Sequence, residues 1–233
     1  KTPVMFITDT RPEKVNGFVV PYDMQDPTQT NTAKLSDTCA AIMCRMDNGA
    51  VLKSLHGNLR GHGNYVRIHG NKGLMENCRH GDKQRLRVWR EPFEKRTGEP
   101  KETVYTPDFP THHDRATRAG HGGGDFFTGY HFAEAIRSGE PPYLDVYRGV
   151  DMSIAGVQAW RSALADSAPF EVPDFRIKRL RKKYRNDHWT PDPAHKGAGQ
   201  PASSIRGHIK LSVEAKKLAR KVWKSKGYDV SQM

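Results

Sequence analysis

Hydrophobic and polar positions alternate with period two through the first half of the chain, then switch to helical spacing. Thr38 to Asp47 and Ala50 to His56 flank Asn48-Gly49, a dipeptide that supplies two positive-φ residues for a type I′ hairpin turn. A two-residue turn pairs Met46 with Val51 and Ile42 with Leu55. Ala40, Ile42, Cys44, Met46, Val51 and Leu55 then share one apolar face, and His56 falls on the other with Arg45 and Ser54. Tyr65 to His69 alternates Val66 and Ile68 against Tyr65, Arg67 and His69, and the turn from Gly70 to Gly73 leads into Leu74 to Cys78, a second hairpin. With Arg85 to Trp89 and Thr103 to Tyr105, residues 38 to 106 read as a meander of five or six antiparallel strands.

The short apolar runs Val4 to Ile7 and Phe18 to Val20 are expected to be strands as well, and the aperiodic polar segment from Asp23 to Thr32 a loop. After a polar, irregular stretch from Pro107 to Gly120, Phe126, Phe127, Tyr130, Ala133 and Ile136 follow helical spacing. Asp125 is placed to cap that helix or to lie in its first turn, and Gly139 suits its C-terminal stop. Asp145 heads a second helix whose Val146, Val150, Ile154, Val157 and Leu164 recur near every fourth position, and Val172 to Phe175 closes with a short strand. Two amphipathic helices after a meander predict an α+β fold: a largely antiparallel open-faced sheet with helices on one face. A last helix is expected to be capped by Ser212, striped by Val213, Leu218 and Val222, and stopped by Gly227. That stripe is narrow, so this helix must dock on something.

Charge divides the chain at the same place. Residues 176–233 hold 16 of the 38 basic and 4 of the 26 acidic residues, so residues 1–175 carry equal numbers of each. We therefore read residues 1–175 as a neutral domain and residues 176–233 as a basic extension that wraps the domain or an acidic partner. Aromatics are not interleaved as stacking platforms in the basic run Lys178 to Arg185, which argues against nucleic acid. No apolar run reaches the ~18 residues of a membrane helix. Cys39, Cys44 and Cys78 lack metal-ligand spacing and read as free, buried thiols. The chain begins with Lys-Thr-Pro, which fits the later part of a longer protein and leaves its compartment open.

Candidate chemistry concentrates in histidines. Gly61-His62-Gly63 and Gly120-His121-Gly122 lack the third glycine and preceding strand of a dinucleotide fingerprint, so no cofactor is expected on this chain alone. His112, His113 and Asp114 sit on an irregular loop without zinc-type spacing, and no metal site is expected. A histidine between glycines can approach a ligand closely; the alternative reading is a tight turn with a solvated imidazole. Tyr147 and Trp160, on helix faces, are expected to pack.

The order of the Asn48-Gly49 hairpin, Tyr65 to Gly73, Gly120-His-Gly-Gly-Gly-Asp125, Asp145-Val-Tyr147 and Pro173-Asp-Phe175 resembles the C-terminal domain of the Gfo/Idh/MocA oxidoreductases. The similarity leans towards the branch that includes NAD-dependent glycosidases such as α-N-acetylgalactosaminidase. The resemblance implies a substrate-covering and oligomer-forming domain, associating through its sheet face, in an enzyme for a sugar or polyol. NAD or NADP would be bound by a missing N-terminal Rossmann domain. The family's Glu-Lys-Pro segment is absent, so the resemblance assigns this chain no catalytic residue. It implies four substrate-binding residues: His121, Tyr65, His56 and Arg67.

Overall fold

The computed structural model describes residues 2–23, 35–57, 65–77, 85–192, 194–195 and 197–231. The chain divides into two compact units, one formed by residues 1–62 and 146–233, the other by residues 63–145. The expected loop after Asp23, the Gly61-His62-Gly63 turn and Cys78 lie outside the described residues.

In the first unit, helix α1 (Thr2–Thr8) precedes strand β1 (Pro12–Val20), followed by β2 (Cys39–Met46) and β3 (Val51–Gly57). The sheet order is β3-β2-β1-β8, with β8 reduced to Phe170–Glu171, and each pairing is antiparallel. Val4 to Ile7 is therefore helical, not a strand. Four apolar residues in a row carry no period: Met5 is buried in the core and Val4 packs against it, while Phe6 and Ile7 stay exposed.

The β2–β3 hairpin corrects the sequence reading by one residue. Of the turn residues only Gly49 has positive φ, at 83°, and the loop closes with Met46 N donating to Ala50 O and Gly49 N to Met46 O. This is a three-residue loop with glycine in the left-handed position. Arg45 consequently faces Val51, Cys44 faces Leu52 and Ala40 faces His56. Because side chains alternate, the slip turns Val51 and Leu55 out of the core and His56, Ser54 and Leu52 onto the face of Ile42 and Cys44. Val51 is 68% exposed and Leu52 buried.

Helix α4 (Val146–Leu164) covers that inner face. Its buried residues are Asp151, Ala155, Gln158, Ala159 and Ser162. The expected stripe is displaced: Val146, Val157 and Leu164 are exposed. Close approach explains the choice of small residues, since a Cβ on Gly17 of β1 would meet the Ala159 carbonyl oxygen at 2.1 Å. Ser162 Oγ accepts from Gly17 N and donates to Ala168 O, and Asn16 Nδ2 donates to Ser167 O, so the helix end is bonded to the strand. The core joins Met5, Val15, Ile42, Cys44, Met46, Leu52, Ala155, Ala159 and Val172. Cys39 and Cys44 are buried and form no disulfide.

The basic residues after Phe175 form helices α5 (Lys178–Tyr184) and α6 (Val213–Ser225). Ser212 caps α6 by accepting from Ala215 N, and Gly227 has φ 81°. Its buried positions are Ala215 and Ala219, whereas Val213 is exposed. No helix among the described residues is long and apolar enough to cross a membrane.

The second unit holds an antiparallel sheet in the order β4 (Arg67–Gly70), β5 (Gly73–Asn77), β6 (Leu86–Arg90), β7 (Glu102–Tyr105). A short helix α2 (His113–Ala116) and helix α3 (Gly124–Ser138) pack on one another, and Gly139 ends α3 at φ 75°. The expected meander thus spans six strands, β2 to β7, divided between two four-stranded sheets. The fold is α+β.

Candidate functional site

Three of the four candidate residues stand in the second unit. Arg67 lies directly opposite Glu76 across β4–β5, and Glu76 directly opposite Arg87 across β5–β6. Three donors converge on the Glu76 carboxylate: the Tyr65 hydroxyl and Arg67 Nε on Oε2, and an Arg87 terminal nitrogen on Oε1 at 2.8 Å. Arg87 also reaches Glu102 at 2.7 Å, and the Arg67 guanidinium carbon sits 5.7 Å from the Tyr65 ring centroid. Glu76 is only 8% exposed. The Tyr65 hydroxyl, then Arg87 and Arg67, hold its carboxyl down to about 2 against the upward pull of burial. Arg87 is raised by Glu102 first and Glu76 second, and Arg67 by Glu76.

The structure thus brings Tyr65 and Arg67 together through Glu76, a residue that sequence reasoning missed. Its signal is a single acidic residue, next to Met75 and on the same face as Leu74, on a strand flanked by arginine-bearing strands. That becomes informative only when the register is known.

His121 lies in a 3-10 turn, His121–Gly123, that leads into α3. Its Nδ1 is 2.9 and 3.0 Å from the two carboxylate oxygens of Asp125, and its side chain is 86% exposed. His121 is not among the partners of Glu76. Beside the loop, His112 packs at 4.5 Å from the Tyr130 ring and 5.5 Å from Phe126, while His113 Nδ1 bonds Asp108 at 2.6 Å. Among the described residues, no group of three His, Cys, Asp or Glu side chains could hold a metal ion.

His56 belongs to the first unit. The one-residue slip places it on the α4 side, where it lines a cavity of about 490 Å³ with Val19, Ala40, Trp160, Pro191 and Asp192. That volume suits a small ligand. Trp160 Nε1 is buried without a partner among the described residues, and Tyr147 carries the Arg176 and Arg181 guanidinium groups on its ring. Part of the cavity wall is the basic extension. Arg161 of α4 holds the extension at this point: one terminal guanidinium nitrogen donates to both Asp187 carboxylate oxygens at 2.8 and 2.6 Å, and the guanidinium lies 4.8 Å from the Trp189 ring.

Every strand pairing among the described residues is antiparallel. A nicotinamide dinucleotide bound on a parallel βαβ crossover requires elements that these residues do not provide.

An antiparallel sheet backed by a helix, and a Gly-His-Gly-Gly-Gly-Asp turn entering another, agree with the C-terminal domain type of the Gfo/Idh/MocA oxidoreductases that the sequence resembles. Within that class, the family described as glycosyl hydrolase 109, C-terminal domain, matches residues 9–182, and the chain belongs to it. A glycosyl hydrolase family 109 protein of Solibacter usitatus (strain Ellin6076) is 39% identical over 56 residues, which is 24% of this chain and 13% of that protein. Among solved structures, an oxidoreductase domain protein from Kribbella flavida superposes with a TM-score of 0.56 at 19% identity, covering 73% of this chain and 47% of that one. Levoglucosan dehydrogenase in complex with NADH and levoglucosan gives 0.55 at 20% identity, over 71% of this chain and 46% of the other. The chain therefore spans less than half the length of these structures, and at such identities they show the fold alone.

Proposed function

We propose that this chain is the substrate-covering domain of an NAD(P)-dependent enzyme that acts on a sugar or polyol, with the nicotinamide cofactor held by a separate Rossmann domain. The family match over residues 9–182 carries this reading. The structural relative in complex with NADH and levoglucosan supports the substrate class. Within this reading His121 contacts the sugar directly. Tyr65 and Arg67 contribute through the Glu76 network, whose pairing fixes their positions; His56, on β3 of the first unit, is a separate candidate sugar contact. A carbohydrate requires donors and acceptors arranged around hydroxyls, and imidazole, phenol and guanidinium groups supply them. The cofactor supplies hydride chemistry when bound; this chain's part is to bind and orient the sugar.

The family name favours a second reaction on the same architecture, glycoside cleavage by transient oxidation, elimination and re-reduction. The test uses the full-length protein that carries this chain, supplied with NAD⁺ and either a free sugar such as levoglucosan or a chromogenic N-acetyl-α-galactosaminide. NADH accumulation on the free sugar identifies the oxidoreductase. Free aglycone with no net NADH identifies the glycosidase. Inertness of both, with no sugar binding, overturns the proposal and leaves a non-catalytic assembly domain.

We further propose that the domain associates with a second copy through the outer face of the β3-β2-β1-β8 sheet, where Phe18, Val20, Met43, Val51 and Leu55 are exposed.

A further inference from the structure

We propose that Asp125 is the positioning residue of the glycine-rich turn. It holds His121 in the Nδ1–H tautomer, so that the unprotonated Nε2 is presented as the hydrogen-bond acceptor for a sugar hydroxyl. This rests on the reading of His121 as a sugar contact.

The chemistry of the pair sets the tautomer. An ionised carboxylate can only accept, so the imidazole nitrogen that bonds both Asp125 oxygens must carry the proton. Neutral histidine has one proton to place, and Nε2 is left with its lone pair. The sequence carries this pairing in its spacing, because Asp125 lies in the first turn of α3, four residues after His121.

The backbone is shaped around the contact. His121, Gly122 and Gly123 have φ of 52°, 64° and 93°, three successive residues in the left-handed region. For His121 that conformation costs about 1–2 kcal/mol. The turn is closed on the Gly120 carbonyl, which accepts from Gly123 N at 3.1 Å and Asp125 N at 3.4 Å. A Cβ on Gly120 would meet Asp125 Oδ2 at 2.4 Å, so a side chain there would displace the carboxylate from its place beside the turn. A Cβ on Gly123 would meet the Phe109 ring at 2.4 Å. Gly120 thus admits the carboxylate and Gly123 admits the aromatic support, while the imidazole stays open to solvent. A turn needed only to reverse the chain would not require the carboxylate to lie against Gly120.

The tautomer is measured on this chain, without substrate, by long-range ¹H–¹⁵N NMR of ¹⁵N-histidine protein, with the His121 ring assigned by its loss in His121→Gln. The expected result is a neutral ring protonated at Nδ1, which reverts to predominantly Nε2–H in Asp125→Ala and loses part of its bias in Gly120→Ala. Both side chains of the pair are exposed, so Asp125→Ala should melt with the wild type. A wild-type ring protonated at Nε2, or an Nδ1–H ring that survives Asp125→Ala, overturns the proposal.

Turnover of the full-length protein then separates this inference from the reading beneath it. Asp125→Ala should lower turnover of the sugar about tenfold or more, as loss of tautomer control does in other histidine sites, and Asp125→Glu should recover part of it. If His121→Ala lowers turnover and Asp125→Ala does not, the role of Asp125 is overturned. If the tautomer is locked but His121→Ala leaves turnover unchanged, the sugar contact fails, and the dyad's function with it.

Discussion

Arg67 and Glu76 face one another directly across β4–β5, and their side chains form an ion pair on a carboxylate that is otherwise buried. The pair is one rung of a ladder that continues through Arg87 to Glu102 and ties all four strands of the second sheet. Two of the residues assigned to the substrate by resemblance are therefore held by an acidic residue that the resemblance does not single out. Their geometry depends on Glu76 before it depends on any ligand.

Acid should loosen this unit over a defined window. Glu76 titrates near 2 when folded against 4.5 when free, so its stabilisation is complete above about pH 4.5 and is lost as pH falls from 4.5 towards 2. Glu76→Gln should remove that pH dependence and cost about 1–3 kcal/mol at neutral pH, because two arginines lose their charged acceptor. Urea melts of both proteins at pH 7 and pH 3 measure the difference, which should shrink at the lower pH. Equal losses at both values would assign the effect to packing.

The seam between β1 and α4 should be intolerant of a single methyl group. Gly17→Ala drives a Cβ into the backbone of Ala159, where no rotamer change relieves the clash. The helix must move away from the strand, and a loss of about 1–3 kcal/mol is expected from such overpacking. Thermal denaturation checks this, with Gly197→Ala, which meets nothing within 4 Å, as the control.

The contrast between these two features and the hairpin shows where sequence was informative. The strands β2 to β7, helices α3 and α4, and the caps at Gly139 and Ser212 follow from period, glycine and hydroxyl positions. The hairpin register does not, because Asn48-Gly49 serves a two-residue turn with both residues at positive φ and a three-residue turn with only Gly49 there. The chain takes the second, and one residue of slip moves His56 to the inner face and Val51 and Leu55 to the outer one. The helix stripe failed for a related reason: hydrophobicity marks Val146 and Leu164, but the Gly17 approach selects Ala155, Ala159 and Ser162. His121 stands out in the sequence for its flanking glycines, and the four-residue spacing to Asp125 becomes a contact only through the turn's three left-handed residues.

Arg161 should control whether the basic extension stays docked. It combines the two bonds to the Asp187 carboxylate with the Trp189 contact, and Arg161 is the main influence holding the Asp187 carboxyl below the ordinary range. Arg161→Ala should cost about 1.5–3 kcal/mol of local stability. Limited proteolysis should then cut after Tyr184 at least several-fold faster, with a red shift in tryptophan emission, while the sheet core keeps its melting midpoint. Unchanged proteolysis would move the docking role to other contacts, such as Ile205 N on Asp37.

The outer face of the first sheet gives the test of association. Phe18 on β1, Ala41 on β2 and Leu55 on β3 are aligned across three strands, with Phe18 and Leu55 about half exposed. An apolar row of this kind is costly to leave in water and matches itself under a two-fold axis. Phe18→Glu combined with Leu55→Glu points two carboxylates outward from positions that contribute nothing to the α4 core, so folding should be retained. Sedimentation velocity over a micromolar concentration series should show the wild type associating and the double variant remaining monomeric. A monomeric wild type across the series would remove the sheet face as an interface, and with it any requirement that substrate binding depend on a second copy.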